Sequence, residues 1–431
     1  MKVYKIFNKD DLNDFKKEWQ KRVLIPPEIL QKVLKIIDDV RKKGDEAVIE
    51  YTKRFDKIDL CEIGIEIDFL EIERAFEENK EIIPLLKEAA NRIKNFHSQY
   101  LPKSWFISDE YGNLLGQKVS VIERLGVYCP GGKAVYPSTV LMNVIPAKVA
   151  QVKEIFMCVP TPNGKISSIV LAAAKIAGVN KIFRIGGAQA IAALAYGTET
   201  IPKVDFICGP GNIYVAAAKK LVFGDVGIDM VAGPSEIAVI ADGKVPPNWT
   251  AADLISQAEH DEMASAILIT NSEEYAQAVL KEIERRLNEI PRKSIAKEAI
   301  KNQGYIFVVP DLEIAAEVAN TIAPEHLELL IENPFSLLTK IKHAGAIFLG
   351  EYAVEAIGDY MAGPNHTLPT GGTARFSSVL STEHFLKRSS ILFISKEGTK
   401  ALGPKVIALA HLEGLMAHAL SVEERLKENR E

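Results

Sequence analysis

The chain is poor in cysteine: Cys61, Cys129, Cys158 and Cys208 are widely spaced over 431 residues and form no CxxC pair. Such thiols read as reduced and mostly buried in a cytosolic protein. No apolar run reaches the roughly 20 residues that a membrane span needs. The start, Met1-Lys-Val-Tyr-Lys-Ile-Phe-Asn8, lacks the charged, long-apolar, small-residue order of a signal peptide. Long basic runs are missing too. With 52 Lys and Arg against 57 Asp and Glu, the net charge is −5. That argues against nucleic acid or an anionic membrane as the main partner. A soluble, cytoplasmic protein is expected.

What is present is apolar bulk. At 47% hydrophobic residues the chain can bury a large core and is expected to split into two or more domains. Residues 1–25 are charged and amphipathic and are read as a small lobe or arm. Pro26-Pro27-Glu28 opens a helix, in which Ile29, Leu30, Val33, Leu34, Ile36, Ile37 and Val40 recur at helical spacing until Gly44. Two more helices are predicted at 68–79 and 84–100, and a strand pattern over 114–128. After a Gly/Pro-rich loop at 129–138, apolar strands alternate with helices through 153–239, and the pattern returns through 250–349. Such alternation predicts mostly parallel sheets covered on both faces. From Ser381, a basic pair, Lys387-Arg388, leads into a final helical segment ending near Lys427.

Histidine is unevenly spread. His97 is alone in the first half; His260, His326, His343, His366, His384, His411 and His418 follow later. The segment Thr321-Ile-Ala-Pro-Glu-His-Leu327 puts a carboxylate and an imidazole side by side after a proline, the two groups most used for proton transfer near neutral pH. Adjacent Glu-His pairs are more often solvated loop residues, so the pair needs a site around it. Gln257 and His260 are three apart on a predicted helix and would share a face. Asp359 and His366 lie in a long Gly/Pro-rich segment after a strand, where α/β sites are built. His411 and His418, seven apart, would share a face of the last helix, with Glu413 on another side. Gly186-Gly-Ala-Gln189 and Gly209-Pro-Gly-Asn212 each follow a strand and open a helix, whose free N–H groups suit phosphate. Neither is the GxGxxG fingerprint, and no acidic residue stands where a ribose would be held. Cys129 and Cys208, each beside a glycine loop, offer a rival route, aldehyde oxidation through a covalent thiol adduct.

In order, Ile228-Asp-Met-Val-Ala-Gly-Pro-Ser-Glu236, Ser256-Gln-Ala-Glu-His260, Ala323-Pro-Glu-His-Leu327, Gly358-Asp-Tyr360, Gly363-Pro-Asn-His366, Pro369-Thr-Gly-Gly372 and Glu413-Gly-Leu-Met-Ala-His418 resemble the histidinol dehydrogenase family. The resemblance is weakest before residue 110. It implies oxidation of L-histidinol through L-histidinal to L-histidine with two NAD and Zn2+, the last steps of histidine biosynthesis. It implies Gln257, His260, Asp359 and His418 as zinc ligands, His418 coming from the second subunit of a homodimer. Glu325 and His326 resemble the catalytic acid–base pair. Ser235, His366 and Glu413 look like substrate contacts, alongside the ligands and His326; Tyr128, Gln189 and Asn212 look like NAD contacts.

The implied fold is α/β, with two incomplete Rossmann-like domains of aldehyde dehydrogenase-like architecture and small terminal elements. The expected boundaries are 1–25 for the arm, 26–129 with 236–380 for the domain bearing zinc and catalytic residues, 130–235 for the NAD side, and 381–431 for a segment exchanged in the dimer. The same chemistry on another metal-chelating amino or hydroxy alcohol is the alternative. A catalytically silent metal-stabilised dimer would have lost an acid–base or ligand residue, and none is lost.

Overall fold

The computed structural model describes residues 1–19, 25–131 and 135–427. Residues 20–24 of the N-terminal segment and 132–134 of the Gly/Pro-rich loop lie outside these. The chain divides into two units, residues 1–99 with 122–384, and 100–121 with 385–431.

Among the described residues, the larger unit contains two sheets, each entirely parallel. One has six strands in the order Lys2–Lys5, Gly304–Val308, Ser265–Thr270, Glu236–Ala241, His326–Leu330, Ala346–Leu349. Its four inner strands Gly304–Val308, Ser265–Thr270, Glu236–Ala241 and His326–Leu330 are buried at every residue, as expected for strands covered on both faces. The helices Pro247–Ala258, Glu273–Arg286 and Lys293–Gln303 supply the core on one face, and Lys9–Trp19 and Leu312–Ile322 the other. The second sheet has five strands in the order Lys181–Phe183, Glu154–Cys158, Arg124–Tyr128, Phe206–Cys208, Gly227–Ile228. The α/β fold class is as expected.

Several expected boundaries move. Residues 1–19 are no separate arm: Lys2–Lys5 extends the six-stranded sheet, and Ile6, Leu12 and Phe15 are buried beneath it. The helix Pro27–Lys43 packs against the helices Gly187–Tyr196 and Ile213–Val222, and Asp45–Asp56 against the first of these, on the side of the five-stranded sheet, where Val33, Ile36, Ile37 and Val40 join Ile191, Leu194 and Ile207 in one core. The expected boundary grouped them with 236–380. Helical periodicity says which face is buried, not what buries it. The run 114–128 is two strands in different sheets, Leu114–Val121 and Arg124–Tyr128.

The smaller unit is an antiparallel sheet in the order Leu386–Phe393, Leu114–Val121, Trp105–Ser108, with the helices Lys396–Leu412 and Met416–Lys427. Lys387 and Arg388 therefore lie on a strand rather than leading into a helix. The final helical segment is two helices. Gly414 at φ +73° turns the chain between them, a backbone state that glycine adopts without strain. His411 and His418 are on different helices and share no face.

Candidate active site

Glu325 and His326 stand at the amino end of the strand His326–Leu330. The helix Leu312–Ile322 delivers them. Pro324 cannot continue that helix, and Ala323 leaves it in the left-handed conformation at φ +50°. For an alanine this costs about 1–2 kcal/mol, so the surroundings must fix it. The amides of Gly345 and Ala346 donate to the carbonyls of Pro324 and Glu325 at 2.9 and 2.8 Å.

A single neighbouring residue grips both side chains through its main chain. The N–H of Glu236 donates to Glu325 Oε2 at 2.8 Å, and its carbonyl lies 3.0 Å from His326 Nδ1. The parallel register of the two strands sets this up, with His326 opposite Ile237. A carbonyl only accepts, so that contact keeps a ring proton on Nδ1 and makes Nε2 the nitrogen that gains and loses the other. The Gln257 amide nitrogen stands 3.2 Å from the same Nδ1; only one of the two contacts is a hydrogen bond at a time. Nε2 looks toward Asp359 at 3.7 Å and Glu355 at 3.9 Å. His366 donates through Nδ1 to the Asp359 carbonyl at 3.1 Å.

Burial dominates the electrostatics. It pushes Glu325 up to about 8 and Glu355 to about 7. Burial also pushes His326 down, but Glu355, Glu325 and Asp359 together outweigh it and raise the ring well above its ordinary value. Asp359 is the reverse case: burial raises it, and the surrounding imidazoles of His326, His366 and His260 hold it below the usual carboxylate range. His260 and His366 are lowered chiefly by burial, which favours the neutral, ligating form. His326, Glu355 and Asp359 each present a donor atom, all within 4.8 Å of one another, a grouping able to hold a metal ion. The oxygen Oε1 of the fully buried Gln257 has no partner among the described residues.

The structure thus brings Gln257, Glu325, His326, Asp359 and His366 together, with His260 within electrostatic reach of Asp359 and His326. His260 is not on the helix with Gln257. That helix ends at Ala258, and the His260 amide donates to the Gln257 carbonyl at 3.1 Å in the turn beyond. Ser235 precedes Glu236, and its carbonyl accepts from Ser265 at 2.9 Å. Glu413 and His418 belong to the smaller unit, both exposed around the turn at Gly414.

Phe183 and Cys208 end their strands, so the two glycine turns sit at carboxyl ends of the five-stranded sheet, the end at which Tyr128 also closes its strand. The buried Tyr128 hydroxyl accepts from the Gly187 amide at 3.1 Å. Gln189 is buried with Oε1 unpartnered among the described residues. Asn212 caps its helix Ile213–Val222, accepting from the amides of Tyr214 and Val215 at 3.0 and 3.2 Å. Cys129 and Cys208 are fully buried, and burial pushes the Cys129 thiol up to about 12 and Cys208 well above its ordinary value. Neither is a ready thiolate.

Sequence reasoning missed the role of Glu236, which acts through its backbone and so leaves no mark in its side chain. It also missed Glu355 and, behind it, Glu328 and Asp253. Glu328 Oε1 accepts from the Glu355 amide at 2.9 Å, and burial pushes Glu328 up to about 9 and Asp253 to about 6. The available signals were the two-residue step from His326, which puts Glu328 on the same strand face, and the four-residue step from Glu355 to Asp359.

An acid–base pair and a metal-competent cluster at the amino ends of one parallel sheet, with glycine turns closing the strands of another, define an α/β enzyme. Comparison gives its kind. The chain belongs to the histidinol dehydrogenase family, whose family model matches residues 20–426. Histidinol dehydrogenase from Aquifex aeolicus is 56% identical over 403 residues, 93% of both chains. That from Carboxydothermus hydrogenoformans is 50% identical over 424 residues, 98% of this chain and 99% of its own. The crystal structure of histidinol dehydrogenase from Elizabethkingia anophelis superposes with a TM-score of 0.92 at 39% identity, covering 99% of this chain and 98% of that one. The chain is accordingly an oxidoreductase of this family.

Proposed function

We propose that the chain oxidises L-histidinol through L-histidinal to L-histidine, using two NAD and a zinc ion, as a homodimer in the cytoplasm. The observation that carries the acid–base assignment is the grip of the Glu236 main chain on both Glu325 and His326.

A metal fits the residues present: the orphaned Gln257 oxygen is buried beside a low-lying Asp359 carboxylate and a neutral His260. Gln257, His260 and Asp359, with His418 of a second copy, would form a nitrogen and oxygen shell suited to zinc. The ion would orient the substrate's imidazole and amine in the template role, and NAD would take the two hydrides.

The chain's own residues then move the protons. With Nδ1–H held by the Glu236 carbonyl, His326 Nε2 accepts the alcohol proton as the first hydride leaves, giving the aldehyde. Glu325, when ionised a stronger base than an ordinary carboxylate because of its burial, takes a proton from water as the oxygen adds to the aldehyde carbon, while His326 returns its proton to the aldehyde oxygen, leaving the gem-diol. His326 takes a proton from the resulting gem-diol as the second hydride leaves, giving the acid. Ser235, His366 and Glu413 would contact the substrate, and Tyr128, Gln189 and Asn212 the NAD. Exchange of the C-terminal segment is favoured by large apolar side chains left exposed on the smaller unit, among them Trp105, Phe106, Ile107, Leu392, Phe393 and Leu412, which a second copy would cover.

The test is stoichiometry. Absorbance should show two NADH per L-histidinol consumed; one NADH, or none, sinks the proposal, and turnover of a different chelating amino alcohol in preference to histidinol would move it to that substrate. Glu325→Gln should slow aldehyde oxidation more than alcohol oxidation, and His326→Gln should slow both. Equal effects on both halves would undo this division of labour.

A further inference from the structure

The helix Ile213–Val222 carries a lysine that is only 1% exposed, Lys219, among buried valines and alanines. Lysine is almost never fully buried unless paired, and Lys219 Nζ forms an ion pair with Asp229, itself buried just past the strand Gly227–Ile228. Two further contacts of this pair converge on one peptide position. Lys219 Nζ donates to the Gly209 carbonyl at 3.0 Å, and Asp229 Oδ2 accepts from the Gly209 N–H at 2.9 Å. Asp229 Oδ1 also accepts from the Met230 amide at 2.6 Å.

Gly209 opens the turn Gly209-Pro-Gly-Asn212 at φ +112°, and a Cβ there would lie 2.1 Å from the Tyr128 carbonyl oxygen. Both main-chain polar groups of a residue that only glycine can supply are thus captured by one buried pair of opposite charge. A buried ion pair is a poor way to gain stability, because desolvation offsets the attraction and apolar replacements are often as stable. Fixing the two faces of one peptide position is something apolar side chains cannot do.

We propose that Lys219 and Asp229 are positioning residues for the dinucleotide: they lock the Gly209–Asn212 turn in its binding shape before NAD arrives. This rests on the reading of that turn as an NAD contact. A preformed turn saves the cost of ordering it on binding, so the pair should govern affinity for NAD and not the chemical step.

Lys219→Met leaves a buried carboxylate unpaired and is expected to lower Tm by roughly 10 °C. Lys219→Met with Asp229→Asn removes both charges and should recover much of that loss. Both variants should show a KM for NAD raised about tenfold or more, equivalent to about 1.4 kcal/mol, with kcat at saturating NAD within about twofold of the parent. A double variant with recovered Tm and the parent KM for NAD overturns the proposal, as does a loss confined to kcat. Hydrogen exchange on the unmodified enzyme needs no substitution. The Gly209 amide should exchange only on the time scale of global unfolding, with or without NAD; exchange as fast as an exposed loop overturns the lock. If the unmodified enzyme neither reduces NAD nor binds NADH, the cofactor reading fails, whatever hydrogen exchange reports of the lock itself.

Discussion

Replacing Gly345 by alanine should damage the acid–base pair without touching either member. A Cβ at this position would lie 2.6 Å from the Glu325 carbonyl oxygen, and 3.2 Å from both Leu368 Cβ and Pro369 Cδ. All three neighbours are main chain or ring and backbone-proximal carbon, so no flexible side-chain end can swing aside. Ordinary contact begins near 3.4 Å, so the strand edge and the Glu325 peptide must part by about 0.8 Å in a close-packed interior. Overpacking of this kind costs about 1–3 kcal/mol, for a Tm lower by a few degrees. The functional loss should be larger. The same carbonyl accepts from Ala346 at 2.8 Å, and the displacement carries Glu325 and His326 away from the Glu236 main chain. Misplacing catalytic groups by about 1 Å can cost 100-fold, so kcat with L-histidinol should fall roughly 10- to 100-fold while the variant stays folded. The assay is initial-rate NADH formation alongside a thermal melt. Parent turnover in Gly345→Ala, at any Tm, would refute the claim that this strand edge sets the position of the pair.

Other outcomes follow from buried groups. Burial pushes His97 down to about 4, so the unfolded chain, with histidine near 6.5, binds the proton more readily. Stability should therefore fall as pH drops from about 6.5 to 4 and level off below, by about 2 kcal/mol once partial screening is allowed for; His97→Phe should flatten that limb of a denaturant series. Cys129→Ala and Cys208→Ala should each keep near-parent turnover, since both thiols are buried and pushed far above neutral pH; near-complete loss in a folded variant would revive covalent catalysis.

The parts legible in the sequence are those carried by side-chain identity or by period. Alternating apolar runs located the strands Glu154–Cys158, Ser265–Thr270 and Gly304–Val308 within a residue or two, because continuous burial writes itself as continuous Val, Ile, Leu and Phe. Glu325 and His326 were legible as an adjacent pair. Partner choice was not: the helices Pro27–Lys43 and Asp45–Asp56 announce an apolar stripe but not the helices it meets. Leu386–Phe393 passed unread as a strand because its burial is only partial, so polar and apolar residues mix without clean alternation. Glu236 was unreadable in another sense, since any residue with an amide and a carbonyl at that register could hold the pair.

Hanging the acid–base pair from the main chain of an inner strand has a consequence for how the enzyme wears out. Inner strands open only in global unfolding, whereas loops and termini open locally at far lower cost. The geometry of Glu325 and His326 should then persist until the whole sheet melts. Activity lost on warming below that point must come from elsewhere, which makes the gap between inactivation temperature and Tm a direct gauge of how loosely the remaining parts of the active site are held.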